Sequence, residues 1–407
     1  MNIKKLIIGY AGMSHLGLNS SIAGAVKGFD ILCFDLNKAL IKKLQRYETE
    51  VNEPNLKKKL IEYKQQIQYT SEPKDLHKCD VIYISKDILT NDEGKSDFED
   101  VNLLISKVNQ NINDNCVMVI LCQVPPGFTR KIIRNKEFLY YQVETLIFGN
   151  AIERAINPER IILGCNKKNQ TINKNLLLFL NAFSCPLLPM VYESAELAKT
   201  AINIVLASQV SVANTLSEIC ENTNAEWFEI VPALNLDKRI GHFSYLDPGL
   251  GISGGNIERD LITISDLSKI NNGNNVVLKS ILEFSKYRKN WPYQILNKTI
   301  ALDKINIVSV LGLAYKINTN SSKNSPSITL INALKNKYIK AYDKLVNPND
   351  FDKSINFCDN IYDTIKDSDV LFIMLPNDEF KEISWEKIFM LMRGKIVIDP
   401  FRVLPFQ

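Results

Sequence analysis

The sequence predicts an α/β protein in which two Rossmann-like, doubly wound domains are joined by a central domain of long helices. Three observations predict it. The chain opens with a strand, a glycine turn, a helix and a second strand that ends in an acid. Near residue 305 a second apolar strand again runs into a glycine, and three further strands follow it. Between these regions, from Ser194 to Glu221, apolar residues recur at helical spacing with few breakers. The expected domains are therefore 1–190, 191–290 and 291–407.

Length and composition agree with this layout. A chain of 407 residues has room for two or three domains with real cores, and 45% hydrophobic with 23% charged residues is ordinary for a globular protein. The formal net charge is only +4, and Lys and Arg are spread along the chain instead of gathered in blocks, which argues against nucleic acid as a partner. Eight cysteines lie scattered without C-x-x-C pairs, several of them inside apolar runs such as Ile31 to Phe34. That pattern fits buried free thiols in a reducing compartment and neither a disulfide frame nor a metal site. No apolar run reaches membrane-spanning length, and the first residues lead straight into a strand, so a cytoplasmic protein with no membrane partner is expected.

Taken in order, Lys5 to Gly9 reads as the first strand, Gly12-Met-Ser14-His-Leu-Gly17 as the turn, Leu18 to Lys27 as a helix, and Asp30 to Phe34 as the second strand, with Asp35 at its end. A glycine turn at a helix start holds a dinucleotide pyrophosphate, and an acid about twenty residues on holds ribose hydroxyls. Ser14 departs from the usual middle glycine. Asp35 would repel a 2′-phosphate and no Arg follows it, so the cofactor expected is NAD and not NADP. An ordinary role is also open to Asp35, as a cap for the next helix. Strands follow at Val81 to Ile84 and Val117 to Leu121, with helices between them as a parallel sheet requires.

On the central helix Glu196, Lys199 and Asn203 share one face; by themselves they fit a solvated surface. Beyond it, the stretch Arg239 to Asp260 holds five glycines, and the run Gly249 to Gly255 has too little side chain to pack. Glycine lets a backbone approach a ligand closely. This reads as a loop moulded on something, or more plainly as a surface turn, with Asn256 as the N-cap of the helix that follows. Ile305 to Leu311, Tyr338 to Tyr342, Val370 to Met374 and Lys395 to Ile398 then supply the strands of the last domain.

Several of these stretches together resemble the UDP-glucose/GDP-mannose dehydrogenase family over nearly the whole chain. Arg239-Ile-Gly241 and Gly249, Gly251, Gly254 and Asp260 fall on its active-site signature, R-I-G followed by G-x-G-F-G-G-S-C-F-P-K-D, but Asn256 stands where the family has its nucleophilic cysteine. Cys122-Gln123-Val-Pro-Pro-Gly127 is similar to S-T-V-P-P-G, with Gln123 in place of a threonine that helps to hold a catalytic water. Val143 to Gly149 is similar to P-E-F-L-x-E-G. Glu144 lands on the glutamate assigned to hydrolysis and Phe148 replaces the second; Glu144 is also readable as a surface acid. Ala195 to Asn203 matches A-E-L-x-K-x-x-x-N, which carries the catalytic lysine and asparagine onto Lys199 and Asn203. Gly312 to Pro326 resembles G-L-x-F-K-x-x-T-D-D-x-R-x-S-P, placing Lys316 on a substrate-contacting lysine and Lys323 on an arginine.

The resemblance implies an NAD-dependent oxidoreductase acting on the CH–OH group of a UDP- or GDP-sugar, with polysaccharide biosynthesis as the process served. It implies Lys199, Asn203, Asp260 and Glu144 as catalytic groups, with Asn256 in the thiol's place. Gly12, Ser14, Gly17, Asp35, Gln123 and Lys323 would lie on the cofactor, and Arg239, Gly251, Gly254 and Lys316 on the substrate. It also implies a homodimer in which Arg239 reaches the neighbouring subunit's sugar nucleotide; otherwise the helical face packs only within the chain. An amide cannot form the family's thioester. Three readings follow: oxidation that stops after one two-electron step or passes through a hydrated aldehyde; full oxidation with Cys122 as a substitute thiol; or a catalytically silent homologue that keeps its nucleotide sites.

Overall fold

The computed structural model describes residues 5–88 and 96–404, which form two units, Met1–Ala201 and Ile202–Gln407, with the boundary inside one long helix, Tyr192–Glu221. That helix begins two residues before the predicted Ser194.

The first unit is built on eight strands: β1 Ile7–Ala11, β2 Asp30–Phe34, β3 Ile67–Thr70, β4 Val81–Ile84, β5 Val117–Ile120, β6 Leu139–Gln142, β7 Ile161–Cys165 and β8 Leu187–Val191. They lie in the order β3-β2-β1-β4-β5-β6-β7-β8. Every residue of β4 and β5 is buried, as in a parallel sheet covered on both faces, so these strands read as unbroken apolar runs. The order reverses between β1 and β4. Doubly wound sheets bind ligands at that reversal, beyond the carboxyl ends of the strands. One pair departs from the expected parallel pattern, β6 with β7, which run antiparallel through Gln142 and Leu163. β1 starts at Ile7 and not at Lys5, because its neighbour β2 begins with the Ile7–Asp30 pair.

In the second unit the helices Trp227–Leu236, Asn256–Ile270, Val276–Lys289 and Trp291–Thr299 precede a five-stranded parallel sheet. Its strands are β9 Ile307–Leu311, β10 Tyr338–Tyr342, β11 Ile355–Phe357, β12 Val370–Ile373 and β13 Ile396–Ile398, ordered β11-β10-β9-β12-β13. This repeats the β3-β2-β1-β4-β5 order of the first unit, and the repetition extends to single bonds. Gly12 donates to Phe34 O and Gly312 to Tyr342 O, both at 2.9 Å. Asp35 accepts from Met13 N at 2.8 Å; its counterpart Asp343 accepts from Leu313 N at 2.7 Å and Ala314 N at 3.0 Å.

The helices of the second unit enclose a small core of Ala207, Ile252, Leu261 and Ile281, while Leu250 belongs to the core of the five-stranded sheet. The glycine loop is therefore anchored through Leu250 on one side and Ile252 on the other. The long helix also keeps an apolar stripe uncovered: Val205, Val212 and Ile219, seven residues apart, are 57%, 58% and 53% exposed.

A second repeated device starts each sheet. Asp80 accepts from Ile7 N at 3.0 Å, and Asp369 from Asn306 N at 2.7 Å and Ile307 N at 3.0 Å. Arg393 adds two contacts of 2.6 Å to Asp369. Desolvation opposes ionisation of Asp369, but the guanidinium and the two amides together outweigh it and hold the carboxyl down at about 2. A depressed folded pKa contributes stability above the ordinary carboxylate value, and that stability is lost as pH falls toward 2. Asp369→Asn is expected to lower the unfolding free energy at neutral pH by about 1–2 kcal/mol, allowing for solvent screening at half-exposed Arg393. Urea denaturation at several pH values checks this: the gap between variant and parent should close on acidification.

Candidate active site

The glycine turn between β1 and the helix His15–Val26 is built as its spacing predicts. Gly12 has φ +97°, and a Cβ on it would lie 2.7 Å from Cβ of Lys86. A Cβ on Gly17 would fall 1.9 Å from Gly12 O, so neither position accepts a side chain. Ser14, where a glycine is usual, is tied down: its hydroxyl donates to Ser85 O at 3.2 Å and accepts from Asp87 N at 2.9 Å. Asp35 takes Met13 N on one oxygen and Asn37 N, at 2.9 Å, on the other. Asn37, not Asp35, caps the following helix, which leaves Asp35 fixed at the strand end beside the turn.

His15 follows Ser14 and carries no signal of its own in the sequence. Its Nε2 lies 2.9 Å from Oε2 of buried Glu53, and its ring stacks on Phe148 at 4.1 Å. Glu53 also accepts from Gly149 N at 3.0 Å and Ala151 N at 2.7 Å. This ties the turn to the loop that carries Glu144. No spacing rule points to Glu53, because the contact spans 96 residues or more.

Glu144 is not a surface acid. Its carboxylate accepts from Leu146 N and pairs with Lys199 Nζ at 3.2 Å, the two side chains being 18% and 14% exposed. Glu196, by contrast, is fully buried and accepts from Gly127 N at 2.5 Å and Thr129 N at 2.8 Å, so it fixes the Pro-Pro-Gly turn beside half-buried Gln123. The helix face bearing Glu196 and Lys199 is thus not a solvated one.

In the second unit Asn203 donates its amide to Oδ2 of Asp260 at 2.6 Å, and Arg259 approaches Oδ1 at 3.3 Å. Asp260 is 1% exposed and Arg259 7%. Sequence reading passes over Arg259, which looks like one more helix cation. The expected cap is also off by one residue: Gly255 is the N-cap, and Asn256 is the first helical residue and exposed. Glycine cannot offer a capping oxygen, but it lets the loop turn in closely.

The loop itself is held by named contacts. Gly249 N donates to Asn214 Oδ1 at 2.7 Å and Ile252 N to Ser285 Oγ at 2.8 Å. A Cβ on Gly251 would meet Ser285 O at 2.6 Å and one on Gly254 the Tyr315 ring at 2.8 Å; both glycines have positive φ, +79° and +75°. Asn324 bonds Gly254 O at 3.2 Å and Glu258 at 2.6 Å, and accepts from the buried amine of Lys289. Desolvation pulls the Lys289 ammonium below its ordinary value. Lys323, on the same segment, brings Nζ to 3.7 Å from the Cβ that a side chain at Gly255 would carry.

A cavity of about 260 Å³ lies between this loop and the carboxyl end of the second sheet, lined by Gly249, Gly251, Ser253, Tyr315, Lys316 and Phe401. Arg239 does not enter it. Its side chain is 89% exposed and pairs with Asp237 at 2.7 Å. The substitute-thiol reading finds no support either: Cys122 is completely buried, and desolvation pushes its thiol up to about 12. All eight cysteines are free thiols.

The chain matches three domain profiles of one family in sequence order: NAD binding domain over residues 6–179, central domain over 193–286 and UDP binding domain over 309–405. The chain belongs to the UDP-glucose/GDP-mannose dehydrogenase family. It is similar to the UDP-glucose 6-dehydrogenase of Rickettsia conorii, 28% identical over 96% of this chain and 94% of that one. A UDP-N-acetyl-D-mannosamine dehydrogenase of Pyrococcus horikoshii is 24% identical over 96% and 94%. Among solved structures, a UDP-glucose dehydrogenase from Pyrobaculum islandicum superposes with a TM-score of 0.86 at 20% identity, covering 99% and 96%, and so shares the fold. As a member of the family this dehydrogenase is an NAD-dependent oxidoreductase acting on nucleotide sugars, and the silent-homologue reading draws no support from these matches. The glycine turn and Asp35 fit the adenosine and pyrophosphate of NAD.

Proposed function

We propose that this dehydrogenase oxidises one alcohol of a UDP-sugar by a single two-electron step, with Lys199, Glu144, Asn203 and Asp260 at the reacting carbon. The observation that carries the reading is the exposed amide of Asn256 at the helix start, together with a buried, unreactive Cys122. Bound NAD would supply the hydride acceptor. As the C–H bond breaks, Lys199, held by Glu144 at 3.2 Å, would stabilise the developing alkoxide or accept the hydroxyl proton. Asn203 lies one helical turn from Lys199. Its amide nitrogen donates to Asp260, its carbonyl oxygen would orient the substrate hydroxyl, and Arg259 at 3.3 Å helps to hold Asp260 in place. Without a thiol the carbonyl product is not captured. A ketone would end there, and an aldehyde would be released or hydrated.

Lys316 and Gly251, which line the 260 Å³ cavity with Tyr315, would hold the nucleotide sugar there, and Gly254, close against the Tyr315 ring, would complete its wall. Lys323 serves as a point charge toward a phosphate, where an arginine would grip with two prongs. The uncovered stripe of the long helix and the outward Arg239 support a homodimer in which Arg239 serves the neighbouring site. Division at 190 and 290 into cofactor, helical and nucleotide-sugar domains follows the same scheme, and eight free thiols suit a cytoplasmic enzyme of polysaccharide biosynthesis.

The test is stoichiometric. Limiting amounts of UDP- and GDP-sugars are incubated with excess NAD, and NADH is counted by absorbance. About one NADH per sugar is expected from the sugar that reacts, and UDP-sugars should outpace GDP-sugars. Two NADH per sugar, with an acid product, would overturn the single-step reading.

A further inference from the structure

The start of the His15–Val26 helix is where a dinucleotide's phosphates are expected, because its first amides have no intrahelical acceptor. In this protein a carboxylate of the chain is already there. Asp87 Oδ2 lies 3.4 Å from Leu16 N, a long bond that is readily exchanged. The position of Asp87 is fixed from behind by its own amide, which donates to Ser14 Oγ at 2.9 Å, and Ser14 is the residue that replaces the middle glycine of the turn.

Among the described residues no adjacent cation neutralises this acid. Lys86, the preceding residue, is drawn away to Asp100 at 2.6 Å. Burial pushes the Asp87 carboxyl above its ordinary value, hydrogen bonds from Ser14 and Leu16 N and the nearby His15 act the other way, and Glu144, from the loop after β6, adds to the rise. Phosphates arriving at the Leu16 amide would meet this carboxyl already placed 3.4 Å from it and would have to displace it.

We infer that Asp87 is a built-in competitor of the cofactor's pyrophosphate, which must displace it from the Leu16 amide, so that Asp87 sets a lowered affinity for the dinucleotide. The inference rests on the cofactor site proposed above. Calorimetry with NAD, with ADP-ribose and with adenosine tests it on the whole protein and on Asp87→Asn, Asp87→Ala and Asp35→Ala. Both Asp87 variants should bind NAD and ADP-ribose roughly tenfold more tightly, while adenosine, which lacks phosphates, binds as before. Unchanged or weaker NAD binding in both variants overturns the inference, since Asp87 would then be a neutral bystander or a cofactor contact. Equal tightening toward adenosine overturns it too, because the effect would not lie at the phosphates. Asp35→Ala should weaken NAD and adenosine together. If it binds NAD as well as the parent does, the cofactor site itself is misplaced, a failure distinguishable from that of Asp87.

Discussion

Lys199→Met is expected to cut the rate of NADH formation by roughly a thousandfold while leaving NAD affinity unchanged, within the range general-base removal costs. The methionine keeps the volume of the lysine stem but removes the amine, so the helix still packs. What it leaves behind is Glu144, 18% exposed and still bonded to Leu146 N. A carboxylate set back by the length of its contact with the amine and already engaged by Leu146 N is a poor substitute base. Single-turnover absorbance at about 340 nm and calorimetric titration with NAD separate the two effects. A variant that retains a tenth of the parent rate would remove Lys199 from the reaction. Glu144→Gln should cost less, since the amine remains and loses only the partner that stabilises its charged form.

Asn256→Cys is expected to raise the yield from about one NADH per sugar to about two, with a carboxylic acid as product. The position is suited to a thiol. It is exposed, begins a fifteen-residue helix, and has Lys323 nearby, and both the helix start and a cation favour thiolate over thiol. A thiolate there could capture a carbonyl product as a hemithioacetal, whose remaining C–H bond supplies the second hydride, and water would then cleave the thioester. Labelling with iodoacetamide near neutral pH should mark the introduced thiol ahead of the native ones, five of which are buried. If the variant labels readily and still yields one NADH, the reacting carbon lies away from this helix start or bears a ketone.

Much of this architecture is legible because it rests on local pattern. Gly12, Gly17 and Asp35 announce the first nucleotide fold by spacing, and the apolar recurrence from Ser194 onward announces the long helix. The structure adds reasons, such as the 1.9 Å clash that keeps position 17 free of a side chain. What escapes is whatever depends on contacts distant in sequence. Glu53 reads as one acid among several near a turn, yet it fastens Gly149 and Ala151 almost a hundred residues on. Arg259 has the same look on paper, and only its burial against Asp260 separates it from a surface cation. Asp343 does carry a sequence signal, since it follows β10 as Asp35 follows β2 and the two halves of the chain share that pattern. Glu196 is misplaced for a different reason: helical periodicity says which residues share a face, but not whether that face is wet.

The loop from Gly249 to Gly255 owes its shape to two separate interiors, one receiving Leu250 and the other Ile252. With only Gly251 between those two side chains, slack cannot be taken up locally. A cavity opened deep in either interior, by Ile281→Ala or Val310→Ala for example, should therefore be felt at position 256 as altered sugar handling. Catalytic defects in this enzyme will trace to residues that never come near a ligand.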